Sequence, residues 1–212
     1  MKTILALFSH PDDCELWAGG ILKKHVDLGD MVIPCFFHQL KDERKEESKK
    51  ALSILGMTPI FINTKSYEMP DFDSFTKLID YLPDVIISHW EYDTHLEHKL
   101  IFEHSFKYAH YLKRVKNKTP IFLMASTYFQ VGSNQNFIPS IIFDITEYID
   151  KKIMAIKCHK SQNPDYLIND VISQNKLLGE QVKTRFAEGF IEYPLFGFRR
   201  SALRDDINSL IK

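Results

Sequence analysis

Cysteine is scarce in this chain: Cys14, Cys35 and Cys158 are its only three. An odd number without the regular spacing of a small scaffold argues against a disulfide framework and fits a reducing compartment. An excess of one charge sign is missing too. The formal net charge is −1, and the densest charged stretch, Lys41 to Lys50, alternates in sign. Strong electrostatic affinity for nucleic acid or for a membrane surface is therefore not expected. Long apolar runs are absent as well. The run Thr3 to Phe8 ends at Ser9-His10, short of the apolar region of a secretory signal, and no small-residue cleavage site follows it. No other run reaches membrane-spanning length. The cytoplasm is the expected compartment.

What remains is an ordinary globular composition, 44% apolar and 26% charged over 212 residues. That length supports one good-sized domain, residues 1–212, with a substantial core. Its order is legible from alternating apolar runs. Thr3–Phe8 is too short and too unbroken for an amphipathic helix and reads as a buried strand. Leu16 to Leu28 reads as a helix ended by Gly29, and Met31 to Phe37 as a second strand despite Pro34. Lys41 to Leu55 is a helix ended by Gly56, and Thr58 to Ile62 a third strand. Phe72 to Leu82 is helical up to Pro83, and Val85 to Trp90 is a fourth strand. Leu96 to Leu112 is a long helix, with Thr94 as its N-cap and Glu97 as capping-box partner. Ile121–Ala125 and Ser140–Ile145 are further strands, the second at the sheet edge. Thr146 caps a helix running to about His159, Lys160 to Pro164 breaks it, and a last helix covers roughly 167–185. The aromatic tail has no usable periodicity. Short connections between alternating strands and helices imply right-handed parallel crossovers, hence a doubly wound, mostly parallel α/β sheet with helices on both faces.

In such a sheet a ligand sits at the carboxyl ends of the strands, where their order reverses. If the first and fourth strands flank that point, two loops meet there. The first, Ser9-His10-Pro11-Asp12-Asp13-Cys14-Glu15, crowds two adjacent carboxylates beside an imidazole. That is costly unless a cation or a helix N-terminus offsets it. Taken alone, the motif allows two readings: a metal site, or a turn in which Asp12 caps the next helix and Glu15 closes a capping box. The second loop holds Asp93, His95, Glu97 and His98, and His95 and His98, three apart, share one face of the first helical turn. Asp93 either caps or orients an imidazole. Cys14 reads as buried filler rather than a soft zinc ligand. His25, His38, His89, His104 and His110 read as structural. Gly19-Gly20 costs helix stability, which close packing or close ligand approach would justify, and it lacks the spacing of a dinucleotide-binding loop.

His10-Pro11-Asp12-Asp13-Cys14-Glu15-Leu16-Trp17-Ala18-Gly19-Gly20 resembles the signature of the LmbE-like, or PIG-L, family of zinc-dependent de-N-acetylases. Asp93-Thr94-His95-Leu96-Glu97-His98 resembles that family's second motif, Asp-x-His-x-Asp-His. Arg44 to Gly56, and the stretch from Asp144 through Lys152, His159, Ser161 and Gln162, follow two further family patterns in order. The resemblance implies a Rossmann-like fold and one zinc ion per chain, other divalent metals being possible, held by His10, Asp13 and His98. It implies Asp12 as general base and a protonated His95 as oxyanion stabiliser. Arg44, Asp93 and His159 are implied on the substrate side, with Glu15 and Glu97 supporting the site. It implies an N-acetylated amino sugar or its conjugate as substrate, and a trimer or hexamer, for which the aromatic tail is a candidate interface. Glu97 replaces the family's usual Asp, Cys14 is inserted before Glu15, and Asn63 stands near a position where many members carry a sugar-binding Asp. The alternatives are a zinc amidase cutting another amide, such as a thiol conjugate, and a non-catalytic ligand-binding module.

Overall fold

The computed structural model describes residues 1–65, 68 and 71–197. Among the described residues seven strands form one sheet in the order β3-β2-β1-β4-β5-β7-β6: β1 Thr3–Phe8, β2 Met31–Phe36, β3 Ile60–Phe61, β4 Val85–Ser88, β5 Ile121–Ala125, β6 Ile141–Asp144 and β7 Ala187–Glu192. Strands β1 to β5 pair in parallel, and β7 runs antiparallel between β5 and β6. The order reverses between β1 and β4, which are direct neighbours with Leu7 opposite Ser88. The sheet is the expected α/β architecture, with an antiparallel strand added near one edge.

The continuous apolar run of β1 follows from burial on both faces. Ile4, Ala6 and Phe8 join a core with Leu16, Trp17 and Ile21 of helix α1 (Asp13–Asp27) and Ala51, Leu52 and Leu55 of α2 (Asp42–Leu55). Helices α5 (Ile149–Ile156) and α6 (Pro164–Gln181) pack on the same face. Leu5 and Leu7 point the other way, into a core with Phe75 of α3 (Phe72–Thr76) and Ile101, Tyr108 and Leu112 of α4 (Leu96–Lys116). Pro34 is accommodated because β3 pairs only with Cys35 and Phe36, so no ladder bond is needed from Pro34 on that side.

Several boundaries differ from expectation, each for a local reason. β3 has two residues, and the helix expected over 72–82 is α3 followed by a separate 3-10 turn, Ile79–Tyr81. Thr146 does not cap α5, which begins at Ile149; its hydroxyl instead donates to the carbonyl of Phe186. β7 has no counterpart in the sequence reading. The end of the tail, residues 198–212, lies outside the described residues. Gly19-Gly20 is explained by packing: a Cβ on Gly20 would lie 2.7 Å from Ile145. Beside it, the N–H groups of Gly20 and Ile21 donate to the two carboxylate oxygens of Glu188 at 2.9 and 2.8 Å, and buried Lys152 pairs with that carboxylate at 2.6 Å. Among the described residues no helix is long and apolar enough to cross a membrane.

Candidate metal centre and active site

The loop after β1 and the start of α4 after β4 meet at the reversal point. Two ring nitrogens and the two oxygens of one carboxylate converge there. His98 Nε2 lies 3.2 Å from His10 Nδ1 and 3.5 Å from Asp13 Oδ1, and His10 Nδ1 lies 3.3 Å from Asp13 Oδ2. Two donors, each ~2.1 Å from a tetrahedral ion, stand about 3.4 Å apart, so the spacing fits a zinc-sized cation. Asp13 Oδ1 is also a buried oxygen with no hydrogen-bond donor, an arrangement that costs free energy unless a cation compensates it.

Each imidazole is held from behind. Glu97 Oε2 accepts the N–H of His10 Nε2 at 2.6 Å, leaving the Nδ1 lone pair facing Asp13. Asp93 Oδ2 accepts from His98 Nδ1 at 2.8 Å, which turns Nε2 inward. Asp93 Oδ1 accepts the backbone N–H of His95 at 2.8 Å. Asp93 is fully buried on these two bonds, which places it behind the imidazole rather than on the substrate side. These contacts overturn the capping expectations. His95, not Thr94, is the N-cap residue of α4, and Glu97 reaches His10. Asp12 makes no capping bond to α1.

Asp12 instead meets Arg44, whose Nη2 lies 3.1 Å from its Oδ2. Arg44 Nη1 also donates to Gln39 Oε1 at 2.5 Å, and Gln39 Nε2 donates to Glu97 at 3.2 Å. One guanidinium thus braces Asp12 directly and His10 through two intermediaries. With both contacts internal and only 6% of the residue exposed, Arg44 is placed to orient the carboxylate more than to reach outward. His159 is likewise fully buried, its Nε2 at 2.9 Å from Glu15 Oε1. Its ring thus has no solvent-exposed face.

The electrostatics divide the groups sharply. Burial, reinforced by the charge of Asp13, pushes Asp12 up to about 6, against the pull of Arg44. Burial opposes ionisation of Asp13 too, but His98, His89 and His10 outweigh it and hold the carboxyl well below its usual range. Burial also works against a charged His98, yet Asp13 and Asp93 raise it to about 10. His95 is lowered, by burial and by the charges of His98 and His10. A neutral imidazole that donates one N–H is therefore what the surroundings favour at His95, in place of the protonated ring implied by the resemblance.

Two site residues escaped the sequence reading. His89, at the end of β4, stacks on His98 with centroids 3.8 Å apart and accepts the N–H of Ser9 at Nε2, 2.8 Å away. Its Nε2 also lies 3.3 Å from Asp13 Oδ2, but the lone pair is already engaged by Ser9. Gln39 follows β2 with φ 53°. Both sit at carboxyl ends of strands, the one signal that could have singled them out. His38, also read as structural, bonds Ser9 Oγ at 2.9 Å.

No family model matches the chain. A diacetylchitobiose deacetylase from Thermococcus kodakarensis is 24% identical over 223 aligned positions, covering 89% of this chain and 82% of the relative. Among solved structures, an N,N'-diacetylchitobiose deacetylase from Pyrococcus horikoshii aligns with a TM-score of 0.73 at 22% identity, covering 91% of this chain and 84% of that one. A 4-carboxy-2-hydroxymuconate hydratase, GalB, from Pseudomonas putida aligns with a TM-score of 0.77 at 20% identity, covering 92% and 98%. Proteins of two reaction classes thus share this architecture, and the fold alone does not choose between them. The chain is thus similar in fold to these proteins over nine-tenths of its length, and its motifs resemble those of the LmbE-like, or PIG-L, family.

Proposed function

We propose that the chain is a metal-dependent amide hydrolase that removes the acetyl group from an N-acetylated amino sugar or its conjugate. The observation that carries this reading is the convergence of His10, Asp13 and His98 at tetrahedral spacing, with the separately braced carboxylate of Asp12 next to Asp13 in the chain. The donor set, two imidazoles and one carboxylate, leaves coordination open, as catalytic zinc sites do. An ion held there would act as a Lewis acid, making water acidic near neutral pH and polarising the amide carbonyl.

The chain's own groups supply the rest. Asp12, with its proton affinity set near neutrality, takes a proton from the attacking water. Arg44 fixes the carboxylate and keeps it from swinging onto the ligand position of Asp13. His95 donates an N–H to the oxyanion that develops on the carbonyl oxygen, and one such donor is worth ~3 kcal/mol. The amine cannot leave as an anion, so Asp12 returns its proton to the nitrogen before the C–N bond breaks. Water and amide give acetate and free amine.

The relatives that deacetylate diacetylchitobiose support an amino-sugar substrate. The trimer or hexamer implied by the resemblance belongs to the same proposal, and light scattering would count the copies. The function is tested by metal analysis together with acetate release from a panel of N-acetylated glucosamine derivatives. An acetylated thiol conjugate and an unsaturated dicarboxylate serve as comparison substrates. Acetate and free amine in equal amounts from the sugars are expected. Turnover confined to either comparison compound would replace the proposal with an amidase or a hydratase.

A further inference from the structure

The backbone of Gln39 stands at φ 53°, in the left-handed region that costs a residue with a Cβ free energy. Such a conformation persists where its surroundings over-determine it, and it gathers at functional sites. Here the connection from β2 to α2 is stapled to the first loop. The N–H groups of Phe37 and His38 donate to the carbonyl of Ser9 at 3.1 and 2.8 Å, and the N–H of Lys41 closes the turn on the carbonyl of Gln39 at 2.9 Å. Glycine would meet this backbone requirement at lower cost. The side chain, not the backbone, therefore accounts for a glutamine here.

That side chain is an amide used at both ends. Arg44 can only donate and the carboxylate of Glu97 can only accept, so the amide has one workable orientation. Its Oε1 accepts from Arg44 Nη1 at 2.5 Å, and its Nε2 donates to Glu97 Oε2 at 3.2 Å. Arg44 Nε is buried without an acceptor, so among the described residues Asp12 and Gln39 aim the guanidinium between them. The Glu97 oxygen that Gln39 reaches is the one that accepts the N–H of His10.

We infer that Gln39 is a positioning residue for the proposed reaction, its amide tying the carboxylate that moves the proton to the imidazole that faces Asp13. The inference rests on the hydrolase reading and deepens it. Gln39 acts on Asp12 through Arg44 and on His10 through Glu97, and it touches no reacting atom. Cation, amide and anion follow one another along this relay, so each hydrogen bond has a charged partner and is stronger for it. Losing the amide would leave Arg44 with one anchor in place of two and take a donor from Glu97. One side chain at the end of β2 thus serves both proton transfer and metal retention.

The test compares the full chain with Gln39→Met, which keeps the length of the side chain, and Gln39→Gly, which suits the backbone. Three quantities are measured: Zn2+ affinity by competition with a chromophoric chelator, Tm without metal, and kcat and KM at full zinc loading on the best substrate of the sugar panel. Both variants should bind Zn2+ about tenfold more weakly or worse, the scale on which metal sites respond to lost support. Both should also lose about tenfold or more in kcat, with KM within about twofold of the parent. Gln39→Gly should melt at or above Gln39→Met, because glycine relieves the left-handed backbone, yet lose as much affinity and turnover. Losses that follow Tm from variant to variant would reduce Gln39 to a structural role and overturn the inference. Loss of affinity without loss of kcat, or the reverse, would break the tie between the two ends and overturn it too, leaving the hydrolase proposal standing. A parent chain that binds no Zn2+, or releases no acetate from any sugar, would remove the hydrolase reading and this inference with it.

Discussion

Asp12 and Asp13 are adjacent in sequence, equally buried, and opposite in electrostatic character. Three imidazoles surround Asp13 and hold it ionised, whereas for Asp12 burial and its neighbour's charge outweigh the pull of Arg44, His159 and His10. A carboxylate held ionised suits a metal ligand, and one balanced near neutrality suits a group that takes and returns a proton. The same surroundings make metal uptake depend on pH. His98, with its pKa raised to about 10 by Asp13 and Asp93, carries a proton at neutral pH that an incoming ion must expel. Affinity should therefore rise with pH, by about tenfold per unit from His98 alone. Competition titrations at pH 6 and pH 8 would measure it, and equal affinities at the two values would contradict the assignment of His98 as a ligand. This scale is also where sequence reasoning was weakest. Glu97 and Asp12 stand where local rules place capping residues, but each is committed to a partner distant in sequence, His10 and Arg44 respectively. Functional sites are where local and global preferences are expected to part. His89 and Gln39 lie in no motif, and only the meeting of strand ends reveals them.

At the scale of elements, the alternating strands and helices through β5 were legible because each buried strand reads as an unbroken apolar run and each helix ends on a glycine, an asparagine or a proline-containing turn. β7 was not. Its sequence AEGFIE places Glu188 and Glu192 in buried positions, and Glu188 is tolerated because Lys152 and two backbone N–H groups of α1 satisfy it. A pairing from α5 to β7 across the first turns of α1 leaves no local trace in sequence. It predicts that Lys152→Met is strongly destabilising, by about 3–5 kcal/mol, since one partner of a buried pair is left charged. The glycine pair provides a sharper comparison. Gly20→Ala drives a methyl onto Ile145, a clash costing about 1–3 kcal/mol. Gly19→Ala meets the flexible stem of Lys152 at 3.3 Å and gains helix propensity of about 1 kcal/mol. Urea denaturation should rank Gly20→Ala well below both the parent and Gly19→Ala. Equal midpoints for the two variants would argue against close packing of α1 on Ile145.

For the molecule as a whole, the site lies between two segments some eighty residues apart in sequence, joined across the β1–β4 seam. An ion bound there links them, so it should stabilise the native state beyond its local effect. At a free concentration one hundredfold above Kd, the linkage contributes about 2.7 kcal/mol, or roughly 5–10 °C in Tm for a chain of this size. A chelator should reverse the shift, and a Tm indifferent to both would place metal binding elsewhere. The alternation of strands and helices was readable from sequence, whereas the reversal of strand order between β1 and β4 was an assumption there, which the strand pairing bears out. The acidic turn and the paired histidines then fell at the carboxyl ends of the strands, where such a sheet gathers loops.

The most direct test of the account is acetate release from an N-acetylated amino sugar by the wild-type chain and by Asp12→Asn at equal, stoichiometric zinc content. The account predicts that the variant keeps its ion and loses at least two orders of magnitude in kcat, about the contribution expected of a positioned acid-base group. Undiminished turnover by a fully loaded Asp12→Asn chain would contradict it.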